Sequence, residues 1–249
     1  MKKIKITKVG LNLGRTFPSS YGSKLRGFFA ETFKEDVLFH NHKDDGDYNY
    51  AYPLIQYKII SGVPYLIGIN EGSNLLLEKV LNLKHIILAN KKYEILKFNV
   101  EIQEEDLFVD EETKYKYQFA NNWLALSQDN FKLYKNIIKK NTDKKELLEH
   151  VIETGLYENV PEQKKLLEKI LIGNILSLAT GIDWYVKENI KVRLIPGQTI
   201  YPKVSSLKDT KMIAFNGTFI SNVKLPNLIG LGKSVSRGFG AVRNVSQIN

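Results

Sequence analysis

The 249-residue chain contains no cysteine, and that absence removes several chemistries at once. No disulfide framework, thiolate zinc site or thiol nucleophile can be built. The lack of disulfides suits a reducing compartment, so a cytoplasmic location is expected. Long apolar runs are missing as well: nothing approaches the roughly 20 residues that span a bilayer, and no membrane role is expected. The opening Met1-Lys2-Lys3-Ile4-Lys5-Ile6 alternates charged and apolar side chains, the pattern of a strand rather than of a signal peptide. What remains is an ordinary globular composition, 43% hydrophobic and 25% charged, enough for one large domain or two small ones.

Acids are scarce at both ends. Residues 190–249 carry nine Lys or Arg against one acid, Asp209, and residues 1–34 carry eight against Glu31. Residues 101–112 instead hold seven acids, Glu101, Glu104, Glu105, Asp106, Asp110, Glu111 and Glu112, and no base. The net charge of +9 is therefore polarised, provided the two ends meet in the fold. Such a surface is either simply solvated or a polyanion-binding face, for which nucleic acid is the usual ligand.

Hydropathy patterning predicts a strand over 3–13. A helix follows, with Leu25, Phe28, Phe29 and Phe33 on one stripe and Ser23 near its cap. Val37-Leu38-Phe39 reads as the start of a strand leading into the histidines, and 44–47 as a turn. Residues 52–69 read as a strand pair broken at 61–64, 74–83 as a helix and 85–100 as one or two strands. This order approaches β-α-β-β-α-β, the ferredoxin-like pattern. The acidic stretch marks the boundary, giving units at 1–112 and 113–249. The second unit is helical first, over 128–139, from near Asp143 (a capping-box spacing with Glu146) and from Pro161 to near Gly181. Strand signals resume over 190–195, 213–219 and 239–245. The fold class expected is α+β, with no tandem sequence repeat.

Two of the four histidines, His40 and His42, flank Asn41. On a strand they share a face; just past a strand end both reach one phosphate. Tyr48, Tyr50 and Tyr52 alternate beyond the turn, where a hairpin brings a phenol alongside the imidazoles. RNA carries its own nucleophile, the 2′-hydroxyl. Its cleavage needs a base for that hydroxyl, an acid for the leaving 5′-oxygen and donors for the phosphorane. Histidine suits the first two tasks because it titrates near neutrality, and tyrosine suits donation or holding. Other readings stand beside this one. The motif of metal-dependent HNH nucleases spans a longer stretch, so the literal His-Asn-His match is accidental. His40-x-His42-x-Asp44-Asp45 approaches the metal-binding run of metallo-β-lactamase-like hydrolases, but only His85 and His150 remain to complete a two-metal site. Two exposed histidines at a strand end are the structural alternative.

Residues 230–240, Gly-Leu-Gly-Lys-Ser-Val-Ser-Arg-Gly-Phe-Gly, suggest a phosphate loop. A Walker A motif needs glycine where Asn227 stands and a helix afterwards, so nucleotide hydrolysis is not expected. Gly230, Gly232 and Gly238 let backbone approach a phosphate, and Lys233 and Arg237 add charge. A turn with incidental bases is the alternative.

Together these segments resemble the CRISPR-associated endoribonucleases of the RAMP superfamily that cut precursor CRISPR RNA within its repeats, the subtype I-B branch above all. The resemblance runs over nearly the whole chain. It rests on 22–27 (Gly-Ser-Lys-Leu-Arg-Gly), His40-Asn41-His42 and 50–58 (Tyr-Ala-Tyr-Pro-Leu-Ile-Gln-Tyr-Lys) in the first half. In the second half it rests on 117–119, 123–126, 171–177 and the closing glycine-rich loop. It implies two tandem ferredoxin-like domains and metal-free, cofactor-free cleavage leaving 5′-hydroxyl and 2′,3′-cyclic phosphate ends. The family's paired histidines fall on His40 and His42. Its tyrosine, counted back from the Tyr-Pro step, falls on Tyr50, with Tyr48 the alternative because the spacing is one residue longer than the family's. Lys24, Arg26, Lys233 and Arg237 are the candidate phosphate contacts. Implied partners are repeat RNA, precursor and processed, and a Cascade-type effector complex, for a monomer or homodimer. A non-catalytic subunit that only holds a processed guide is the rival from another class.

Overall fold

The computed structural model describes residues 1–40, 52–140, 161–195, 201–207 and 210–246. The alternation at the N-terminus forms β1 (Lys2–Asn12), with Ile4 and Ile6 packed into one core and Val9 and Leu11 into another. Then come α1 (Gly22–Thr32), α2 (Val37–His40), β2 (Ile55–Ile60), β3 (Val63–Ile69) and α3 (Glu71–Lys79). A hairpin of β4 (His85–Leu88) and β5 (Lys91–Glu94) precedes β6 (Lys97–Leu107). One four-stranded antiparallel sheet runs β2-β3-β1-β6. Apart from the added turn α2 and the hairpin, this is the ferredoxin-like β-α-β-β-α-β unit.

The second half repeats the arrangement. It contains β7 (Tyr115–Phe119), α4 (Gln128–Lys140), α5 (Pro161–Gly181), β8 (Val192–Leu194), β9 (Tyr201–Leu207), β10 (Thr210–Asn216), β11 (Thr218–Ser221) and β12 (Val242–Asn244). Its sheet runs β12-β7-β11-β8, with β9 and β10 as a separate hairpin. Between β11 and β12, where the first unit has α3, the described chain has the glycine-rich segment and a single 3-10 turn, Val235–Arg237. The expected α+β class with two tandem ferredoxin-like sheets is what the structure shows.

The first sheet is covered on both faces. Val9, Leu11, Ile55, Tyr57, Ile59 and Leu66 join Leu25, Phe29 and Leu76 of α1 and α3 in one core. Ile4, Ile6, Ile67 and Ile69 pack with residues of the second half, among them Trp123, Leu171, Ile175 and Leu231. A two-faced sheet of this kind gains from apolar burial on both sides, about 25 cal/mol per Å² removed from water.

Three expectations need correction. Val37-Leu38-Phe39 is not a strand but the one-turn helix α2. β-Rich composition is overridden there by packing: the turn drives Phe39 to 1% exposure, with its ring 4.7 Å from Phe33 and 6.3 Å from Phe29. Ser23 does not cap α1; its hydroxyl donates to the Ser20 carbonyl at 3.2 Å, and the residue before the helix is Tyr21. The strand expected over 213–219 breaks at Gly217 into β10 and β11, and β9 was not foreseen. The acidic residues 101–107 lie inside β6, antiparallel to lysine-rich β1. Lys8 Nζ stands 3.5 Å from Glu101 and Lys3 Nζ 3.7 Å from Glu104. The helix expected from Asp143 lies outside the described residues.

Candidate functional site

α2 delivers the histidine segment to the sheet, and its last two carbonyls are held from neighbouring elements. The Tyr57 hydroxyl of β2 donates to the Phe39 carbonyl at 2.9 Å. The Arg26 guanidinium of α1 donates to the His40 carbonyl. Burial pushes the Tyr57 phenol well above its ordinary range, with the nearby Arg26 charge opposing that shift, so the group acts as a neutral donor. His40 Nε2 lies 2.8 Å from the Lys34 carbonyl. A carbonyl only accepts, so Nε2 carries the proton, and a neutral His40 ring keeps its lone pair on Nδ1. His42, Tyr48 and Tyr50 lie outside the described residues, as do Asp44, Asp45 and His150 of the metal reading. His85 lies in β4, opposite Glu94 of β5. Among the described residues no three metal-ligating side chains form a cluster.

The described chain resumes at Tyr52, which is buried. Its hydroxyl donates to the Gly230 carbonyl at 2.7 Å and accepts from Gln56 Nε2 at 2.9 Å. The Gly230 N–H in turn donates to Gln56 Oε1 at 3.1 Å. Lys58, fully buried, reaches the Phe239 carbonyl at 3.4 Å, and burial pushes its ammonium down to about 7. All six residues of β2 are buried. Ile55, Tyr57 and Ile59 face the α1 and α3 core, while Gln56 and Lys58 lie beneath the glycine-rich segment. Sequence reasoning missed Tyr52, Gln56 and Lys58 as anchors. The available signal was the polar alternation of β2 within a stretch already singled out.

The glycine-rich segment closes on itself and docks on both halves. Leu231 N–H donates to the Gly240 carbonyl at 2.8 Å, and Gly230 bridges Ala241. Asn121 holds it from the second half, donating to the Gly238 carbonyl and accepting from Ala241 N–H. A side chain at Gly230 would meet Val235 at 2.3 Å and Lys58 Nζ at 2.8 Å; one at Gly22 would meet the Arg237 carbonyl at 2.8 Å. These close approaches bring the start of α1 against the 3-10 turn and the two basic segments onto one region. There Lys24 is exposed, its Nζ 4.4 Å from the Tyr21 ring centroid. Lys233 is exposed and Arg237 half-buried. Arg26 is half-buried and turned toward the His40 carbonyl. Gly232 packs on Trp123 and Gly238 on Gly22. Gly230 has both its N–H and its carbonyl engaged inside the protein. The arrangement is a basic face beside a one-turn helix that ends in His40, suited to holding a polyanion near an imidazole.

A family model for the Cas6b N-terminal domain matches residues 2–106, and one for the Cas6b C-terminal domain matches residues 155–245. A solved structure described as a crystal structure of Cas6b is 30% identical, covers 98% of this chain and 100% of its own, and has a TM-score of 0.81. The chain belongs to the Cas6b family. A second Cas6b structure, described as a CRISPR RNA processing endoribonuclease, is 27% identical with a TM-score of 0.69, covering 98% of this chain and 100% of its own. An uncharacterized protein of Methanocaldococcus jannaschii is 32% identical over 170 residues, 68% of this chain and 99% of that one. The N-terminal Cas6b model thus covers α2 and the first sheet. The C-terminal one covers the glycine-rich segment. Among the described residues no helix is long and apolar enough to cross a membrane.

Proposed function

We propose that this Cas6b-family chain cuts precursor CRISPR RNA within its repeats without a metal. The 2′-hydroxyl attacks the adjacent phosphate: the 2′-O–P bond forms, the P–O5′ bond breaks, and 5′-hydroxyl and 2′,3′-cyclic phosphate ends result. The observation that carries this reading is the likeness over 98% of the chain to a Cas6b structure. The endoribonuclease activity stated for the second Cas6b structure supports it. His42 takes part in proton transfer, one step removing the 2′-hydroxyl proton and the other supplying the 5′-oxygen. His40, with Nε2 on the Lys34 carbonyl, serves as its partner. Tyr50, with Tyr48 the alternative, orients or donates to the phosphate. Lys24, Lys233 and Arg237 contact the RNA backbone, and the stem is recognised by shape. We assign the chain to the subtype I-B branch, with a Cascade-type complex as its further partner.

The chemistry is tested on a cognate repeat RNA carrying 2′-deoxy at the scissile nucleotide. Cleavage should stop while binding persists, and the products of the unmodified RNA should carry cyclic phosphate. Cleavage of the 2′-deoxy substrate would exclude internal attack.

A further inference from the structure

The buried polar face of β2 has no role in the chemistry just described, yet it forms a closed hydrogen-bonded ring across the two halves. Tyr52 Oη donates to Gly230 O at 2.7 Å, Gly230 N donates to Gln56 Oε1 at 3.1 Å, and Gln56 Nε2 donates to Tyr52 Oη at 2.9 Å. Both backbone polar groups of one loop glycine are thereby held by two side chains of the other half. Gln56 Nε2 is further fixed on the Pro53 carbonyl at 3.2 Å. Lys58 adds a contact at the far arm of the loop, on Phe239. Tyr52, 7% exposed, is sunk into the core shared with the second half, and its Cα and Cβ lie against Gly181 at the end of α5. A core that needed only apolar filling would use Phe and Leu here. Two polar side chains buried in a ring, with a buried lysine beside them, cost desolvation and repay it only in orientation.

We propose that Tyr52, Gln56 and Lys58 are positioning residues that fix the glycine-rich loop relative to the histidine segment, so that RNA held on the loop is presented in register to the imidazoles. The proposal rests on the reading of the chain as a repeat-cutting ribonuclease. Tyr52 stands ten residues after His42 in the chain, and the strand it leads, β2, also carries Tyr57, which holds the carbonyl before His40. The loop side of the ring carries Lys233 and Arg237. One strand therefore contacts the entry to the histidine segment on one face and the RNA-holding loop on the other. Misplacement of reacting groups by about 1 Å costs up to roughly a hundredfold in rate, whereas phosphate contacts made by the loop itself survive loss of the ring.

The test compares the parent with Tyr52→Phe and Gln56→Leu, with thermal melting as a control for folding. Single-turnover cleavage at saturating enzyme should fall about tenfold to a hundredfold, while affinity for a 2′-deoxy repeat RNA changes by less than about threefold, since the phosphate contacts remain. A second readout needs no cleavage: amide exchange over 37–57 should slow on binding 2′-deoxy RNA in the parent and not in Tyr52→Phe, while 228–241 slows in both. Parental rates in both variants, or equal slowing of 37–57 in parent and variant, overturn the proposal and leave the ribonuclease reading intact. A rate loss matched by an equal affinity loss also overturns it. If the parent itself fails to cut, the ribonuclease reading falls, and the exchange comparison still decides whether the ring couples loop and segment.

Discussion

Lys58 is a lysine with no exposed surface, in an environment unusual for its type. Burial lowers its pKa from 10.5 to about 7, so between those values the unfolded chain holds a proton that the folded one does not. Stability then rises with pH across that window and is lost as pH falls toward 7, by an amount on the order of a few kcal/mol. Above about pH 10 the sign reverses. Buried Tyr52, Tyr57 and Tyr117 hold their protons past the ordinary tyrosine range because of burial, and the unfolded state ionises first. Melting temperature against pH should climb from 7 to about 10, and in Lys58→Met the climb should flatten. An unchanged slope in the variant would show that the ammonium is not desolvated in solution. Arg26 offers a second expectation. Its guanidinium holds the His40 carbonyl, so Arg26→Met should slow cleavage about tenfold or more and alter the salt slope of RNA binding little. A parental rate with a reduced slope would return Arg26 to the phosphate contacts.

Among the elements, alternating strands and striped helices were legible in the sequence. β1, the β2–β3 pair and the Pro161–Gly181 helix follow directly from period and caps. α2 was not legible, because Val-Leu-Phe favours a strand until the aromatic cluster of Phe29, Phe33 and Tyr57 is assembled around Phe39. The role of β2 was hidden for a related reason. Residues 52–69 read only as a strand pair, and the partners of Gln56 and Lys58, in the distant glycine-rich segment, are set by the tertiary fold. The glycines of that segment were legible as glycine-requiring, but their use in packing was not. Gly230→Ala places a methyl 2.3 Å from Val235 Cγ1. It should cost about 2 kcal/mol, a fall in melting temperature of roughly 4–8 °C for a chain of this size. A melting temperature within about a degree of the parent's would mean that the loop gives way at little cost.

In the whole molecule, the two basic ends do meet, through α1 and the 3-10 turn Val235–Arg237. The four acids of the stretch that lie in β6, Glu101, Glu104, Glu105 and Asp106, run beside the β1 lysines and explain part of the polarity as local charge pairing. The basic face should bind repeat RNA with an affinity that falls steeply with salt, and Lys233→Ala should reduce the log–log slope by about one. No change in slope would remove Lys233 from the backbone contacts. The α+β class was legible in the sequence, whereas the coupling between the halves needed the three-dimensional pairing of residues 52–58 with 230–239. Repeat cleavage on His40 and His42 is tested most directly with one labelled repeat RNA, incubated with parent and His42→Ala, with and without EDTA. The parent should cut equally well with the chelator, while His42→Ala should bind the RNA and lose at least about a hundredfold in rate. Cleavage abolished by EDTA and restored by a divalent metal, or undiminished in His42→Ala, would contradict it.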